Sequence, residues 1–359
     1  MAEKKIAVGM SGGVDSSVAA ALLVEQGYDV IGVTMQIWNE EYTPSSDSAD
    51  THACFGPGEA ADIEDARIVA EQLGIPFHVV DLRAEYEEIV LDYFRNEYNQ
   101  GRTPNPCLRC NRRLKFGALL EALAAAGLKW DYYATGHYVR RLEENGRHLL
   151  LRGVDSDKDQ SYFLYSLSQE QLARTLFPLG ELNKNEVRAR ATELGLTVEE
   201  KAESQDFYAG DYTELLEGTG RSGPIVDTDG EKIGEHEGIE NYTFGQRRGL
   251  GLAVGHPIYV IDIDAAENKL IVGRREELFD ARMKVEKLNW ILPPSEVAPE
   301  SLEVQIRYQH SPARAELTAF EEGERVEVEF EQPQRAVTPG QAAVFYSGDR
   351  VLGGGIITE

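Results

Sequence analysis

Two thiols lie in one basic stretch of this chain, and thiols at this spacing can do covalent chemistry. Residues 102–117, RTPNPCLRCNRRLKFG, place Cys107 and Cys110 in a C-x-x-C with five Arg or Lys and no Asp or Glu. Such a pair supplies thiolates that act as nucleophiles, as a redox pair or as metal ligands. The whole chain carries 62 acidic and 36 basic side chains, a formal net charge of −26. A basic loop in so acidic a protein predicts a local contact with a polyanion.

The stretch GMSGGVDSS, residues 9–17, has the composition of a phosphate-binding turn. Glycines let the backbone turn tightly and direct N–H groups at an anion, and a helix N-terminus adds partial positive charge. The pattern S-G-G-x-D-S lacks the Gly-Lys-Ser/Thr of a Walker loop and resembles the PP-loop of the ATP pyrophosphatases. It predicts phosphate contacts from Ser11, Gly12, Gly13, Ser16 and Ser17. Asp15 is predicted to hold Mg²⁺ or to orient the loop.

The elements around these motifs predict an α/β domain followed by β-rich modules. Apolar runs at residues 4–10, 29–38, 76–82 and 131–138 predict strands, and helical periodicity at 59–73 and onward to about 200 predicts crossover helices. Strands that alternate with helices form a parallel, Rossmann-like sheet. From about residue 222, short β-branched runs between turns predict a small β module and a C-terminal β-barrel. We therefore expect domains at 1–209, 210–281 and 282–359.

The overall composition limits the cellular location and the kinds of binding partner that the sequence predicts. Nothing in the sequence approaches the ~18 apolar residues of a membrane span, and the N-terminal residues do not form a signal peptide. Three cysteines cannot make a paired disulfide framework, so a cytoplasmic location and no membrane partner are expected. The net charge alone opposes nucleic-acid binding, but residues 242–257, YTFGQRRGLGLAVGHP, form a second window without acid. Arg247 and Arg248 in that window are candidate RNA-backbone contacts beside an aromatic pair.

Taken together, the motifs resemble those of the tRNA-specific 2-thiouridylases over essentially the whole chain. The resemblance rests on the PP-loop followed by TPNPCLRCNRRLKFG, ATGHYVR, KDQSYFLYSL, ESQDF, NYTFGQRRGLGL and AVTPGQAAVFY. Members of that family use ATP to replace the C2 oxygen of a tRNA wobble uridine with sulfur. The resemblance thus implies ATP and Mg²⁺ as cofactors, the tRNA anticodon region as partner, and a sulfur donor (a cysteine desulfurase, a sulfur-carrier protein or sulfide).

The resemblance also implies roles for individual residues. The catalytic cysteine would be Cys110. To it we add Cys107, which stands where other members may have Asp, and Asp15 of the PP-loop as further candidate catalytic residues. The ATP contacts would be Gly9, Met10, Ser11, Gly12, Gly13, Val14, Asp15, Ser16, Ser17, Met35 and Gly136. The target base would meet Asn105, Pro106 and Cys107. The tRNA contacts would be His137, Lys158, Asp159, Gln160, Arg307, Tyr308 and Gln341, to which the second basic window adds Arg247 and Arg248.

One departure from the family changes the sulfur chemistry. Many members carry a persulfide-bearing cysteine just after E-S-Q-D, whereas this chain has Tyr208 at that place. Three readings of the remaining thiols stay open. Cys54, Cys107 and Cys110 could ligate a 4Fe–4S cluster with one open iron, Cys107 and Cys110 could act as a thiol pair, or the cysteines could bind zinc with a histidine such as His52.

The function predicted from the sequence is therefore ATP-dependent 2-thiolation of a tRNA wobble uridine, with AMP and pyrophosphate as products. The main alternative is an amide-forming PP-loop ligase, which needs ATP but no thiols. A non-catalytic RNA- or nucleotide-binding module is the second alternative, and the intact S-G-G-x-D-S opposes it.

Overall fold

The computed structural model describes residues 4–42, 44, 53–198, 207–216, 220–293, 302–321 and 324–359. The chain forms two compact units. The first comprises Met1–Val90, Cys107–Asp211 and Asp349–Val351, and the second comprises Leu91–Pro106, Tyr212–Gly348 and Leu352–Glu359. The predicted motif Glu203–Asp206 and the candidate zinc ligand His52 lie outside the described residues.

A five-stranded parallel sheet organises the first unit. The strands of this sheet are β1 (Lys5–Gly9), β2 (Asp29–Gln36), β3 (Phe77–Asp81), β4 (Tyr132–Thr135) and β7 (Thr175–Leu176). The same unit also contains two strands of a hairpin, β5 (Val139–Glu144) and β6 (Arg147–Arg152). The sheet order is β3-β2-β1-β4-β7, and every neighbouring pair is parallel. The order reverses at β1, so the carboxyl edge near that strand is where ligands bind in open α/β sheets. The predicted parallel sheet is confirmed.

Helices cover this sheet and close its core. The α-helices of the chain are α1 (Val14–Glu25), α2 (Glu59–Leu73), α3 (Arg83–Tyr86), α4 (Asp92–Asn99), α5 (Pro106–Arg109), α6 (Leu119–Ala125), α7 (Gln169–Ala173) and α8 (Lys184–Glu193). Wider π-helical turns span Glu87–Leu91 and Cys110–Ala118. The predicted helix at 59–73 is confirmed, with Ala66, Val69 and Ala70 buried on its inner face. No helix in the described part of the chain is both long enough and apolar enough to cross a bilayer.

Residues 139–152 depart from the helical character expected there. They form an antiparallel hairpin of β5 and β6, and Asn145 and Gly146 turn it with φ of 53° and 75°. Two successive residues with positive φ make the tight turn that Asn-Gly favours. β6 then pairs with Arg350 and Val351.

The second unit contains two β-structures. Its strands are β8 (Gly223–Val226), β9 (Lys232–His236), β10 (Tyr259–Asp264), β11 (Lys269–Gly273), β12 (Phe279–Trp290), β13 (Leu302–Gln305), β14 (Ala313–Glu321), β15 (Arg325–Arg335), β16 (Ala342–Ser347) and, from Leu352 onward, β17 (Arg350–Ile357). β8–β11 form a four-stranded sheet around Ile225, Val260 and Leu270. β12–β17 form a six-stranded barrel that the pairing of β12 with β17 closes. The predicted β module and C-terminal barrel are confirmed.

Candidate active site

The loop between β1 and α1 presents the unpaired end of a helix. Gly13 is the N-cap residue of α1, and no described side chain caps it. The first N–H groups of a helix have no intrahelical partner, so those following Gly13 are available to an anion. The serines brace the turn. Ser16 Oγ accepts from Ser11 N at 3.1 Å, and Ser17 Oγ donates to Gly13 O at 2.8 Å.

Two glycines in and beside this loop are required by close backbone contacts. Gly12 has φ of +73°, and a Cβ there would lie 2.1 Å from the carbonyl oxygen of Asp62. A Cβ on Gly136 would lie 2.7 Å from Ser16 N. The segment after β4 therefore packs directly against the start of α1. The two predicted contacts Gly12 and Gly136 hold the loop's shape.

Asp15 is engaged by the protein itself. Its carboxylate accepts from Tyr138 Oη at 2.7 Å and from Lys184 Nζ at 2.8 and 3.0 Å. The Lys184 side chain is 10% exposed and that of Asp15 is 30% exposed. These contacts join the start of α1 to Tyr138 and Lys184, and both roles expected for Asp15 stay predictions. Lys184 begins α8 behind a capping box of Asn183 and Glu186.

A cavity of about 290 Å³ opens at this edge of the sheet. We call it the sheet-edge cavity, and it is lined by Gly9, Met10, Ser11, Gly13, Val14, Asp15, Ser16, Val33, Thr34, Met35, Cys54, Asp62, Lys115, Leu119, Tyr133, Thr135, Gly136, His137, Gln160 and Lys184. Most of the predicted ATP contacts are in this wall, including Met35 from β2. Gly12 and Ser17 are not, and Ser17 is fully buried beneath the turn. The cavity thus gathers an anion-binding turn and two lysines.

The thiols differ in exposure. Cys54 is exposed and lines the cavity, whereas Cys107 and Cys110 are half-buried and do not. Burial raises the pKa of the Cys110 thiol from 9.0 to about 11, against the pull of nearby Lys115, while a charge on Cys54 raises it further. Burial lowers the pKa of Lys115, but negative charge on Cys110, Cys54 and Cys107 outweighs it and the net pKa is raised. Negative charge on any of the three sulfurs therefore favours the protonated form of Lys115.

These residues do not form a metal site as they stand. The described residues, which include all three cysteines, contain no group of three or more His, Cys, Asp or Glu placed to hold a metal ion. A 4Fe–4S cluster held by three protein thiolates needs such a convergent set. The three cysteines near Lys115 therefore do not fit a cluster in this arrangement. None of them is in a disulfide within the described chain.

His137 and Gln160 border the cavity, while their neighbours are engaged in local structure. Burial, helped by Lys115, lowers the pKa of His137 from 6.5 to about 3, so its imidazole is neutral. Its Nδ1 lies 2.8 Å from Thr135 Oγ1. Gln160 accepts the N–H of Tyr138 at 3.0 Å. Asp159 accepts from Gly153 N and Ser161 Oγ and pairs with Arg152, so its carboxylate caps a turn, and Lys158 is half-buried in that turn.

The segment predicted to meet the target base is held from the barrel side of the second unit. Gln341 Nε2 donates to Thr103 O at 2.9 Å and to Pro104 O at 3.1 Å. Thr103 N donates to Pro339 O at 2.9 Å. Gln341, expected to contact tRNA, is thus seen positioning the backbone just before Asn105 and Pro106. Asn105 is half-buried and Pro106 is buried.

The other predicted tRNA contacts lie in loops between strands of the second unit. Arg247 and Arg248 are exposed, and Gln246 Nε2 donates to Arg248 O at 2.9 Å to hold their turn. Arg307 and Tyr308 are half-buried, and their carbonyls accept from Gln305 Nε2. In each loop a glutamine side chain therefore binds the backbone of the residues predicted to contact tRNA.

Two lysines in the cavity wall were not found from the sequence. Lys115 lies in the basic stretch around the C-x-x-C. The sequence shows its contribution to the positive charge of that stretch, but not its position in the cavity wall. Lys184 pairs with Asp15 across 169 residues of sequence. The signal that was available is the capping box N-K-N-E, which fixes where α8 begins. It does not show what α8 packs against.

Comparison with known proteins gives a consistent result over the full length. Residues 4–208 match the family described as "tRNA methyl transferase HUP domain", 216–274 the matching PRC-barrel domain, and 280–357 the aminomethyltransferase β-barrel domain. The tRNA-specific 2-thiouridylase MnmA of Endomicrobium trichonymphae is 46% identical over 361 residues, 99% of each chain. That of Geobacter metallireducens is 49% identical over 369 residues, 99% of this chain and 97% of its own.

Proposed function

The chain belongs to the tRNA-specific 2-thiouridylase family, and we propose that it uses ATP to replace the C2 oxygen of a tRNA wobble uridine with sulfur. One observation carries the proposal. The sheet-edge cavity has an anion-binding turn on one side and a thiol beside a lysine on the other. Activation by ATP and attack by sulfur need these two kinds of group within reach of one substrate atom.

The activation step uses the loop. The ATP phosphates bind the N–H groups that follow Gly13, where the helix dipole and the Lys184 ammonium offset their charge. The C2 oxygen of uridine attacks the α-phosphorus, and pyrophosphate leaves with the electron pair of the broken P–O bond. AMP is then joined to the C2 oxygen, which becomes a good leaving group. Lys184 and the helix N-terminus stabilise the charge that develops on the departing pyrophosphate.

The substitution step uses a protein thiol. A persulfide sulfur attacks C2 and AMP leaves with the former uridine oxygen. A second thiol then attacks the inner sulfur of the persulfide and breaks its S–S bond. The outer sulfur stays on C2 as 2-thiouridine, and the two cysteines form a disulfide. Cys110 and Cys107 are the catalytic pair predicted from the sequence, and an external persulfide donor supplies the sulfur, leaving as its own thiol. A thiol reductant restores the two cysteines.

The cofactors follow from the same residues. Mg²⁺ usually keeps several waters and binds one or two carboxylates and substrate phosphates. Since the described residues offer no preformed metal set, we propose that the ATP phosphates hold most of its coordination, with Asp15 orienting the loop. The 4Fe–4S alternative is not used here because the cysteines do not form its ligand set.

We propose that the tRNA anticodon region binds the basic loop that carries Arg247 and Arg248. Arg247 and Arg248 are exposed among glycines, which suits contact with phosphates. Further proposed tRNA contacts are His137, Lys158, Asp159, Gln160, Arg307, Tyr308 and Gln341, and proposed base contacts are Asn105, Pro106 and Cys107. Asp159 and Gln341 also hydrogen-bond to backbone groups of the protein, Asp159 to Gly153 and Gln341 to Thr103 and Pro104. A cytoplasmic site of action is proposed from the tRNA substrate.

An assay of the full-length protein tests this function against the amide-ligase alternative. The protein is incubated with ATP-Mg²⁺, a persulfide donor and an unmodified tRNA with a wobble uridine. AMP, pyrophosphate and 2-thiouridine are then measured, with a tRNA that carries wobble cytidine as control. We expect all three products only with the uridine tRNA, and no thiouridine from Cys110→Ser. A ligase would form AMP without that tRNA, and Cys110→Ser would leave its activity intact.

A further inference from the structure

Cys54 lies beside the position where many family members carry their persulfide cysteine. Phe55 forms a parallel β-bridge with Tyr208. Phe55 N donates to Phe207 O at 2.8 Å, and Ala209 N donates to Phe55 O at 3.1 Å. The segment 207–209, which lacks a thiol in this chain, is thus joined through its backbone to the residue that follows Cys54.

The segment that carries Cys54 is fixed by packing. The Phe55 ring stacks on Tyr86 with centroids 4.7 Å apart and meets the edges of Trp38 and Tyr42. Tyr208 is buried, and its ring also contacts that of Phe55, with centroids 6.1 Å apart. A Cβ on Gly56 would lie 2.6 Å from the Cβ of Ala209, so the two segments are in close contact. Cys54 is therefore attached to an anchored residue.

Access separates Cys54 from the other two thiols. An external sulfur donor must reach the thiol that it loads, and the loaded sulfur must reach the activated base. Cys54 is exposed and lies in the wall of the sheet-edge cavity with the phosphate turn and Lys115. Cys107 and Cys110 are half-buried and are not in that wall. Lys115 lies in the same wall as Cys54, so its cation can stabilise negative sulfur there.

We propose that Cys54 carries the persulfide in this chain, taking over the task of the cysteine that Tyr208 replaces, and that Cys110 is the resolving thiol. This inference rests on the proposed function and names the thiols that serve it. A persulfide donor transfers its outer sulfur to Cys54, giving Cys54–S–SH and the donor's thiol. The outer sulfur attacks C2 and AMP leaves. The Cys110 thiol then attacks Cys54 Sγ and gives up its proton to the departing 2-thiouridine, which forms a Cys54–Cys110 disulfide and releases the sulfur as 2-thiouridine. An external thiol reduces the disulfide.

The test uses the full-length protein with glutathione persulfide as donor and follows one turnover. Pyrophosphate release reports activation, and 2-thiouridine reports sulfur transfer. Non-reducing peptide mass spectrometry locates the persulfide and the disulfide. We expect Cys54→Ser to release pyrophosphate but to make thiouridine at least about 100-fold more slowly, since a covalent nucleophile is lost. We expect Cys110→Ser to trap the tRNA on Cys54 through a link that dithiothreitol cleaves.

The disulfide gives the sharpest discrimination. Wild-type protein is expected to end the single turnover with Cys54 joined to Cys110. A disulfide between Cys107 and Cys110, or unchanged thiolation by Cys54→Ser, would overturn the role of Cys54 while leaving the proposed function in place. A wild-type protein that releases no pyrophosphate with uridine tRNA would instead overturn the proposed function itself, and the role of Cys54 with it.

Discussion

At the scale of single residues, the ion pair of Asp15 and Lys184 places an ammonium group in the wall of the sheet-edge cavity. The ammonium is 10% exposed and is balanced by one carboxylate. When a polyphosphate enters, Lys184 can donate to phosphate oxygens as well as to Asp15, because an ammonium has three donors. The resting ion pair therefore keeps the cation in place for the ligand and prevents a buried charge from standing alone.

Replacing Lys184 tests that role. We expect Lys184→Met to weaken binding of a non-hydrolysable ATP analogue by roughly 10-fold or more, since hydrogen bonds to charged groups contribute about 1.5–3 kcal/mol. The isosteric apolar side chain also leaves Asp15 uncompensated near the phosphates. Calorimetric titration measures the affinity. Lys232→Met removes an exposed lysine that pairs with Glu235 and serves as the matched control. Equal affinities in the two variants would show that Lys184 does not contact the phosphates.

His137 makes a pH-dependent contribution to stability. Its folded-state pKa of about 3 is below the 6.5 of an exposed imidazole. Between these values the unfolded chain binds a proton that the folded chain does not, so stability falls as pH decreases below 6.5 and levels off near 3. One proton corresponds to a slope of up to about 1.4 kcal/mol per pH unit. We expect urea unfolding at pH 7.5, 6.5 and 5.5 to show this loss in wild type and a smaller one in His137→Gln. Parallel pH profiles would contradict the assignment.

At this scale the sequence indicates residues that act through local structure, but not partners that are distant along the chain. The serines and glycines of residues 11–17 were predicted because the turn is local and its chemistry is written in consecutive residues. Lys184 was not, because its partner is 169 residues away and only the packed fold brings α8 to α1. Cys54 was counted as a candidate metal ligand. Its bridge through Phe55 to Tyr208 depends on two segments that meet only in the folded chain.

At the scale of elements, the loop before α1 works because its backbone is forced into one shape. Gly12 combines a positive φ with a contact that leaves no space for a side chain. A loop held by neighbouring backbone keeps its N–H groups in one orientation before a ligand arrives, which preorganises the proposed ATP site.

Gly12→Ala separates steric contact from backbone preference. The added Cβ would lie 2.1 Å from Asp62 O, so the loop must move, and we expect tRNA-dependent pyrophosphate release to fall by at least about 100-fold. Gly27→Ala is the matched control, because Gly27 also has a positive φ of +81° but nothing lies within 4 Å of its Cβ position. That control should lose about 1–2 kcal/mol of stability from the left-handed backbone alone and keep its activity. Comparable activity in both variants would refute the steric argument.

The elements themselves were predicted where periodicity was strong. The helix α2 agrees at both ends, since its apolar positions repeat at helical spacing and Gly74 terminates it in the left-handed conformation. The hairpin of β5 and β6 was missed. Its strands join a charged run to the short apolar run Leu149–Leu151, for which periodicity does not distinguish strand from helix. The Asn145-Gly146 dipeptide was the available signal.

At the scale of the whole molecule, the order of an α/β part and a β part was evident from the sequence, but the closure of the parts was not. The pairing of β12 with β17 that closes the barrel joins Val285 to Ile357. Alternation along one strand does not identify its partner. The assignment of Leu91–Pro106 to the second compact unit also depends on contacts such as Gln341 with Thr103, which link distant segments. Long-range contacts of this kind need coordinates.

The charge distribution leads to the last prediction, on how an acidic protein binds tRNA. With a net charge of −26, binding must depend on local basic turns, since each phosphate contact releases counterions. We expect the double variant Arg247→Ala/Arg248→Ala to bind tRNA more weakly and to lower the slope of log affinity against log salt by roughly 1 to 2, from about 0.7–0.9 per contact. The control Arg274→Ala/Arg275→Ala makes the same change in net charge at exposed residues next to Glu276 and Glu277. Filter binding across a salt series measures both. If the two doubles lowered the slope equally, overall charge would govern binding, and the turn at Arg247 would have no special role.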